Sequence, residues 1–111
     1  VNIPAVVLLN GNSASASEVF SGAVKDFKWA KLVGTKTFGK GIVQNFIPLS
    51  DGSAVKVTHS HYYTPSGFDL HGKGIEPDIK VELDENAVVG SETDNQLKTA
   101  IEAVKEIAPK Q

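Results

Sequence analysis

The sequence predicts an α/β fold: a strand-turn-helix unit, then β-hairpin strands, then a C-terminal helix. Residues 5–9, AVVLL, form the short aliphatic run that is typical of a parallel strand covered on both faces. Apolar residues then recur at helical spacing, and later segments alternate with period two before a second helical pattern. A chain of 111 residues is expected to form one domain around a single core.

The first unit is predicted to pass from the strand through Asn10, Gly11 and Asn12, which are turn formers, into a helix. Ser15 and Glu18 form S-x-x-E, a capping box that would start the helix there. The apolar face of this helix consists of Val19, Phe20, Ala23, Val24 and Phe27. A strand, a tight turn and a helix in this order are the pattern of a βα unit.

Further strands are predicted at residues 32–34, LVG, and at residues 42–49, IVQNFIPL. The turn SDGS at residues 50–53 has glycine where a positive φ is tolerated, and residues 54–63, AVKVTHSHYY, alternate after it. We therefore expect the two longer runs to form a hairpin.

The end of the chain is predicted to return to an extended edge and then to form a helix. TPSG closes the hairpin, HGKG is a loop, and residues 75–83, IEPDIKVEL, contain a proline that suits an edge strand. Thr93-x-x-Gln96 is a second capping-box pattern. The helix that it starts has an apolar face of Leu97, Ala100, Ile101, Val104 and Ile107, and Pro109 follows it.

Composition excludes some classes of function. Eleven basic and thirteen acidic residues give a net charge of -2, and no basic stripe interleaved with aromatic residues offers a surface for nucleic acid. There is no cysteine for a disulfide or a thiolate metal site, which fits any compartment. The longest apolar run, IPAVVLL, is too short to span a bilayer and lacks the basic flank of a signal peptide. The absence of a starting Met suggests a segment of a longer protein.

Residues 34–41, GTKTFGKG, nearly match the phosphate-binding loop G-x-x-x-x-G-K-[ST]. The position whose hydroxyl would bind magnesium is Gly41, and the β-branched segment IVQNFIPL follows where the loop needs a helix N-terminus. We therefore reject nucleotide binding. Lys40, held between two glycines, is either a solvent-facing lysine in a turn or a group brought close to another one.

The serine-rich turn at residues 10–20, NGNSASASEVF, offers a partner for that lysine. A serine at a sharp strand-to-helix turn has its hydroxyl above the sheet edge, and the next amide lies at the positive end of the helix dipole. This is the geometry of a nucleophile beside half of an oxyanion hole. An ordinary helix N-cap at Ser15 explains the same hydroxyl without chemistry, and the turn alone favours the cap.

A nucleophilic serine needs a base, which is usually a histidine oriented by a carboxylate. The chain has three histidines, His59, His61 and His71. His59 and His61 are two apart on an alternating strand, so we expect them to share a face as an exposed structural pair rather than as a weak metal site. The alternative base is a lysine kept neutral by burial, and Lys40 is the candidate.

Four segments in the same order resemble the tail-specific, or C-terminal processing, serine protease family. They are NGNSASASEVFSGAVKD, GTKTFGKGIVQNFIPLSDGSAVKVT, YYTPSG and GKGIEPDI. The resemblance extends from Val6 to about Ile79, and the last helix is also similar. It implies a ClpP/crotonase-like catalytic core that hydrolyses peptide bonds with a Ser/Lys dyad and requires no metal or cofactor.

By position, the resemblance implies Ser15 as the nucleophile, Lys40 as the general base, Gln44 as the residue that helps to orient the lysine, and Ala16 as the donor of one oxyanion-hole N–H. Lys40 and Gln44 are four apart, so on an extended segment both side chains would point to one face. A lysine has a solution pKa of about 10.4, so a lysine base has to be desolvated by the apolar walls of a cleft.

Members of the family are usually much longer, with a PDZ domain and part of the catalytic core before the strand at AVVLL. The resemblance therefore implies that residues 1–111 are the C-terminal portion of a catalytic domain, without the upstream core and the PDZ domain. The second oxyanion donor, an upstream glycine amide, then has no counterpart, and the loss of one donor slows such reactions about a hundredfold or more. We expect the isolated chain to be weakly active or inactive. Phe68 and Asp69, in PSGFDLHG, depart from the more usual basic residue there.

The resemblance also implies polypeptide substrates, bound through their C-terminal regions, and a location in the bacterial cell envelope, periplasmic or extracellular. Uncovered sheet edges and apolar faces predict a homo-oligomer. Two alternatives remain open. One is a non-catalytic binding module of the same fold for hydrophobic ligands, although Ser15 and Lys40 argue against it. The other is a structural segment that docks to partner subunits.

Overall fold

The computed structural model describes residues 3–108. Its elements in chain order are β1 (Val6–Leu9), α1 (Ala16–Asp26), β2 (Lys31–Gly34), β3 (Ile42–Pro48), β4 (Ala54–His61), β5 (Ile79–Lys80) and α2 (Asn95–Ile107). A parallel sheet has the strand order β1-β2-β5, and β3 and β4 form a separate antiparallel hairpin. The predicted α/β fold class is confirmed.

The two helices cover opposite faces of the parallel sheet because successive residues of β2 point in opposite directions. Leu32 is buried in one cluster with Val24 of α1. Its neighbour Val33 is buried in a second cluster with Ala100 and Ala103 of α2. The central strand β2 is therefore enclosed by two helical layers, and we call this three-layer part of the chain, with the loops packed on it, the body.

Two element predictions need correction. The first strand, β1, lies at the edge of the sheet with Leu8 45% exposed, so burial on both faces applies to β2 and not to β1. The last helix begins one residue later than the Thr93-x-x-Gln96 pattern predicts. Its N-cap is Asp94, whose carboxylate accepts the N–H of Leu97 at 2.9 Å, while the Thr93 hydroxyl accepts the N–H of Val88 at 3.0 Å. Pro109 lies outside the described residues.

The predicted hairpin is confirmed, and it packs chiefly against itself. Its turn has Gly52 at φ 87, and the N–H of Leu49 donates to the carbonyl of Ser53 at 2.8 Å. Side chains are mostly exposed on both of its faces, and Phe46 is 69% exposed. The hairpin thus extends from the body with little cover from the rest of the described chain.

A bulge interrupts the hairpin near its base. Val43 pairs with Ser60, whereas Gln44 pairs with Thr58, so His59 is an extra residue on β4. The regular alternation that would place His59 and His61 on one face is therefore broken. His61 instead contacts His71 edge to face, with ring centroids 5.4 Å apart, and this contact joins the hairpin base to the loop after Leu70.

Candidate active site

Ser15 lies at the turn between β1 and α1, at the carboxyl edge of the parallel sheet. Its backbone has φ 54 and ψ -115. An N-cap residue normally has an extended backbone, and a residue with a Cβ rarely has a positive φ. Ser15 is half-buried, and the exposed Ala16 is the first residue of α1, where a helix leaves its N–H groups without intrahelical partners. The turn therefore presents a hydroxyl and a helix-end amide at the sheet edge.

The neighbouring Ser13 stabilises this turn. Its N–H donates to the carbonyl of Asn10 at 2.9 Å, and its hydroxyl accepts the N–H of Asn10 at 3.1 Å. The N–H of Asn12 also donates to the Asn10 side chain, at 2.9 Å. The Ser13 hydroxyl thus acts within the turn, which distinguishes it from the Ser15 hydroxyl at the start of the helix.

Residues 35–41, which we call the lysine loop, run from β2 to β3 beside the serine turn. The N–H of Phe38 donates to the carbonyl of Ser13 at 3.0 Å. On the other side, the N–H of Thr37 donates to the carbonyl of Ile75 at 3.1 Å, and the N–H of Ile75 donates to the Thr37 hydroxyl at 2.7 Å. The lysine loop is therefore held between the serine turn and the segment around Ile75.

The two glycines beside Lys40 allow a close approach of backbone to backbone. Gly39 has φ 90, and a Cβ there would lie 2.9 Å from the nitrogen of Gly74. A Cβ on Gly41 would lie 3.0 Å from the nitrogen of His71. Side chains at these positions would push the lysine loop away from the segment that supports it, which explains the FGKG sequence without a phosphate.

Glu18, in the first turn of α1, joins the serine turn to the lysine loop. Its side chain is fully buried. Oε1 accepts the hydroxyl of Thr37 at 2.5 Å and the N–H of Gly39 at 2.6 Å. Oε2 accepts the N–H of Ser15 at 3.0 Å and the N–H of Lys40 at 2.8 Å. Because they bind one oxygen, the backbone nitrogens of Ser15 and Lys40 lie within about 6 Å of each other.

The pKa of the Glu18 carboxyl is lowered although the group is buried. Burial, the largest single influence, raises the pKa, but the hydrogen bonds from Thr37, Lys40, Gly39 and Ser15 together outweigh it. A carboxylate has about four acceptor positions, so these four donors use its capacity. Glu18 is therefore ionised and fully hydrogen-bonded at neutral pH.

Lys40 is half-buried at the end of the lysine loop. Its carbonyl accepts the hydroxyl of Tyr62, and the N–H of Tyr62 donates to the carbonyl of Gly41 at 3.0 Å. Both its N–H, through Glu18, and its carbonyl are therefore held by hydrogen bonds. The backbone that carries the lysine side chain is fixed from two sides.

Gln44 lies in β3 of the hairpin, and its side-chain nitrogen donates to the hydroxyl of Thr58 on β4 at 3.0 Å. Lys40 lies before β3, which begins at Ile42. The side-chain alternation of an extended strand therefore does not extend back to Lys40, and it does not by itself place Lys40 and Gln44 on one face. The structure thus brings the backbones of Ser15 and Lys40 together, with Ala16 next to them, and hydrogen-bonds Gln44 across the hairpin.

Sequence reasoning missed Glu18, Thr37 and Tyr62 as parts of this arrangement. S-x-x-E signals a capping box, and the N–H of Ser15 does donate to Glu18. Nothing local indicates that the same carboxylate also binds residues 37–40, because that contact depends on how β2 returns the chain past α1. The only sequence feature of Tyr62 is its place at the end of an alternating strand, and this does not indicate a contact with Lys40.

Among residues 3–108, no group of three histidine or acidic side chains is placed to hold a metal ion. Neither helix in that range is long and apolar enough to cross a bilayer.

Sequence comparisons relate the chain to proteases. The sequence profile of peptidase family S41 matches residues 1–81. The chain is 53% identical over 79 residues to a carboxy-terminal-processing protease of Bartonella bacilliformis, covering 71% of this chain and 18% of the relative. It is 56% identical over 75 residues to a probable CtpA-like serine protease of Staphylococcus epidermidis, covering 68% of this chain and 15% of the relative. The chain thus spans less than a fifth of the length of these relatives.

Solved structures give the same result. The photosystem II D1 C-terminal processing protease is similar with a TM-score of 0.67 and 40% identity, covering 97% of this chain and 25% of that one. The tricorn protease is similar with a TM-score of 0.68 and 25% identity, covering 94% of this chain and 10% of that one. The resemblance carried by the four sequence segments is confirmed, both in sequence and in fold.

Proposed function

The chain belongs to peptidase family S41, and from that premise we propose that its parent protein is a serine endopeptidase of the C-terminal processing type. Residues 1–111 are the C-terminal portion of its catalytic domain, and its substrates are polypeptides bound through their C-terminal regions. The observation that carries the proposal is that the N–H groups of Ser15 and Lys40 bind the same oxygen of Glu18. Nucleophile and base are therefore carried by adjacent backbone segments.

The reaction begins with neutral Lys40 accepting the hydroxyl proton of Ser15, whose oxygen attacks the carbonyl carbon of the scissile peptide bond. The N–H of Ala16, at the positive end of α1, donates to the developing oxyanion. Lys40 then transfers the proton to the leaving amine. A water molecule hydrolyses the acyl-enzyme by the same steps, and Ser15 is released.

The amine of Lys40 has to be desolvated to act as a base at neutral pH. Lys40 is only half-buried in this chain, and further cover comes from the upstream core of the parent and from the bound substrate. Gln44 orients the lysine once the hairpin is fixed, and it then exchanges its hydrogen bond to Thr58 for one to the amine. The isolated chain, without that cover and without a second oxyanion donor, is weakly active or inactive.

Labelling with a fluorophosphonate serine probe tests this function in the parent protein. Ser15→Ala should abolish labelling, and Lys40→Ala should reduce its rate at least about a hundredfold, since general-base catalysis contributes that much. Matched controls lie close by: Ser17→Ala changes an exposed serine of α1, and Lys36→Ala removes an exposed lysine of the lysine loop. Labelling of Lys40→Ala at the wild-type rate would contradict the Ser/Lys mechanism. So would the absence of labelling in the folded wild-type parent.

The exposed hairpin favours a second function, docking to another protein surface. Phe46 and Ile47 leave large apolar area in water, which is typical of an interaction surface. We propose that the upstream core of the parent or a second copy of the chain covers it. Sedimentation should show self-association of the isolated chain that Phe46→Ser weakens. A chain that stays monomeric at high concentration would contradict the homo-oligomer. A hydrophobic ligand that still binds after both Ser15 and Lys40 are replaced would favour a non-catalytic binding module.

The parent acts in the bacterial cell envelope, in the periplasm or outside the cell. The similarity to CtpA-like and carboxy-terminal-processing proteases supports this location. Fractionation of cells that express the tagged parent tests it, and recovery in the cytoplasmic fraction alone would contradict it.

A further inference from the structure

Glu18 takes no part in the proton transfers proposed above, yet its carboxylate contacts both segments that carry them. A glutamate in a capping box normally accepts one N–H at a helix end. Glu18 accepts four hydrogen bonds and is fully buried, and two of its four donors are the backbone N–H groups of Ser15 and Lys40. Helix capping explains only the bond to Ser15.

The geometry points to a further role, and we propose that Glu18 is a positioning residue that sets the distance between Ser15 and Lys40. Oε2 holds the two N–H groups at 3.0 and 2.8 Å, so neither backbone can move away without breaking a hydrogen bond to a charged group. Oε1 fixes the lysine loop a second time, through Thr37 and Gly39. This inference rests on the function proposed above.

The role requires a carboxylate. All four groups around Glu18 are donors, so a glutamine would present its amide hydrogens to two of them and leave those donors without an acceptor. An aspartate keeps the charge but is one carbon shorter, so it cannot reach the lysine loop while it binds Ser15. Glu18→Gln and Glu18→Asp should therefore both separate the two segments, for different chemical reasons.

The effect on the reaction should be large because rates depend steeply on the placement of the reacting groups. A displacement of about 1 Å can slow a reaction about a hundredfold. The bond to Ser15 also holds a residue whose φ of 54 is unfavourable, so its loss lets the serine turn relax toward an ordinary N-cap.

Asp94 provides a matched control. It is also a buried carboxylate at the start of a helix, where it accepts the N–H groups of Leu97 at 2.9 Å and of Gly90 at 2.8 Å. It has no hydrogen bond to the serine turn or the lysine loop among the bonds found in residues 3–108. Asp94→Asn therefore loses a comparable buried charge without touching the proposed site.

The experiment measures the rate and the final extent of fluorophosphonate labelling of the parent, for wild type, Glu18→Gln, Glu18→Asp and Asp94→Asn. The final extent reports the folded fraction, and the rate per folded molecule reports positioning. Both Glu18 variants should label fully but about a hundredfold more slowly, while Asp94→Asn should stay within about threefold of wild type. Wild-type rates in the Glu18 variants, or equal slowing in Asp94→Asn, would overturn the proposal.

A second measurement separates this inference from the proposed function and covers the case of poor folding. In the isolated wild-type chain, the NMR signals of the Ser15, Gly39 and Lys40 amides should titrate together with the Glu18 carboxyl. Independent titration of these amides would overturn the proposal even if the parent labels at Ser15. If the amides titrate together but the probe never labels the parent, the proposed function is refuted. Glu18 would then only hold the serine turn and the lysine loop together as part of the fold.

Discussion

The body and the hairpin are stabilised in different ways. In the body, Leu32 and Val33 are completely buried between two helices, and the loops around Glu18 are joined by hydrogen bonds between distant parts of the chain. In the hairpin, Phe46 is 69% exposed and the strands bond chiefly to each other. Because a two-stranded hairpin is only marginally stable in water, the body should fold by itself and the hairpin should depend on cover.

This difference divides the candidate active site. The backbones of Ser15 and Lys40 are fixed within the body by Glu18, whereas Gln44 belongs to the hairpin. The chain can therefore set the distance between the proposed nucleophile and the proposed base before Gln44, the proposed orienting residue, is in place. The comparison can be tested by substitutions that affect one region and leave the other unchanged.

The largest difference is expected from truncating one apolar side chain in each region. Leu32→Ala leaves a cavity in the core and should lower the free energy of unfolding by about 2–5 kcal/mol. Phe46→Ala removes an exposed side chain and should change it by less than about 0.5 kcal/mol in a monomeric chain. Urea unfolding followed by circular dichroism measures both. Similar losses would show that the hairpin is packed as tightly as the body.

A smaller difference is expected from the same substitution at two glycines with positive φ. Gly52→Ala, in the hairpin turn, meets no atom within 4 Å and should lower the free energy of unfolding by about 1 kcal/mol through backbone strain. Gly74→Ala would place its Cβ 2.3 Å from the carbonyl oxygen of Thr37, so it should cost about 3 kcal/mol and displace the lysine loop. Thermal unfolding tests this, and equal costs would exclude the close approach at Gly74.

Acid should destabilise the body before it changes the hairpin strands. The hydrogen bonds of Glu18 lower its pKa from an ordinary value of 4.5 despite burial, and those from Gly90 and Leu97 lower the pKa of Asp94 from 3.8. A lowered folded pKa gives stability that is present above the unfolded pKa and is lost as pH falls through the folded one. Urea unfolding between pH 7 and pH 3 should show this loss, with a weaker dependence in Glu18→Gln.

The exposed Asp51 is the control for that experiment. The hydroxyl and the N–H of Ser53 lower the pKa of Asp51, but these bonds lie within the hairpin turn. Because Asp51 is exposed and water screens its interactions, Asp51→Asn should weaken the pH dependence of unfolding much less than Glu18→Gln does. A loss of pH dependence in Asp51→Asn rather than in Glu18→Gln would place the acid-sensitive group in the hairpin.

The smallest effect is expected where the two regions meet. His71→Ala removes the edge-to-face contact with His61, and such contacts contribute about 0.5–1.5 kcal/mol beyond the area that they bury. Amide hydrogen exchange should become a few times faster in β3 and β4 and stay unchanged in β2. His59→Ala, which truncates the bulged histidine of β4 and leaves the contact between His61 and His71 in place, is the control. Faster exchange in β2 would mean that the body depends on this contact.

Local sequence signals predicted most of the elements. The spacing of apolar residues from Val19 to Phe27 and the S-x-x-E pattern placed α1, and SDGS placed the hairpin turn, because both structures depend on neighbours along the chain. The start of α2 was wrong by one residue, since Asp94 is a stronger cap than Thr93. The edge position of β1 is set by strand order, which no local pattern contains.

The candidate site was predicted residue by residue only through resemblance to a family. From the chemistry of the turn alone, Ser15 is better explained as an ordinary helix N-cap, and Lys40 as a solvent-facing lysine. The link between them depends on Glu18, which binds groups 19–22 residues away in sequence. The bulge at His59 also has no sequence signal, so alternation failed there.

The backbone of Ser15 makes opposite demands on stability and on chemistry. Glycine adopts φ 54 and ψ -115 without the steric penalty that a Cβ brings, so Ser15→Gly should relieve strain while it removes the hydroxyl. The folded state would thus be more stable with glycine at this position, although glycine has no hydroxyl that could attack a carbonyl. If Ser15 is the nucleophile, as proposed above, a lineage that no longer needed the reaction could gain stability by this single substitution, and Ser15 would be among the first residues that it lost.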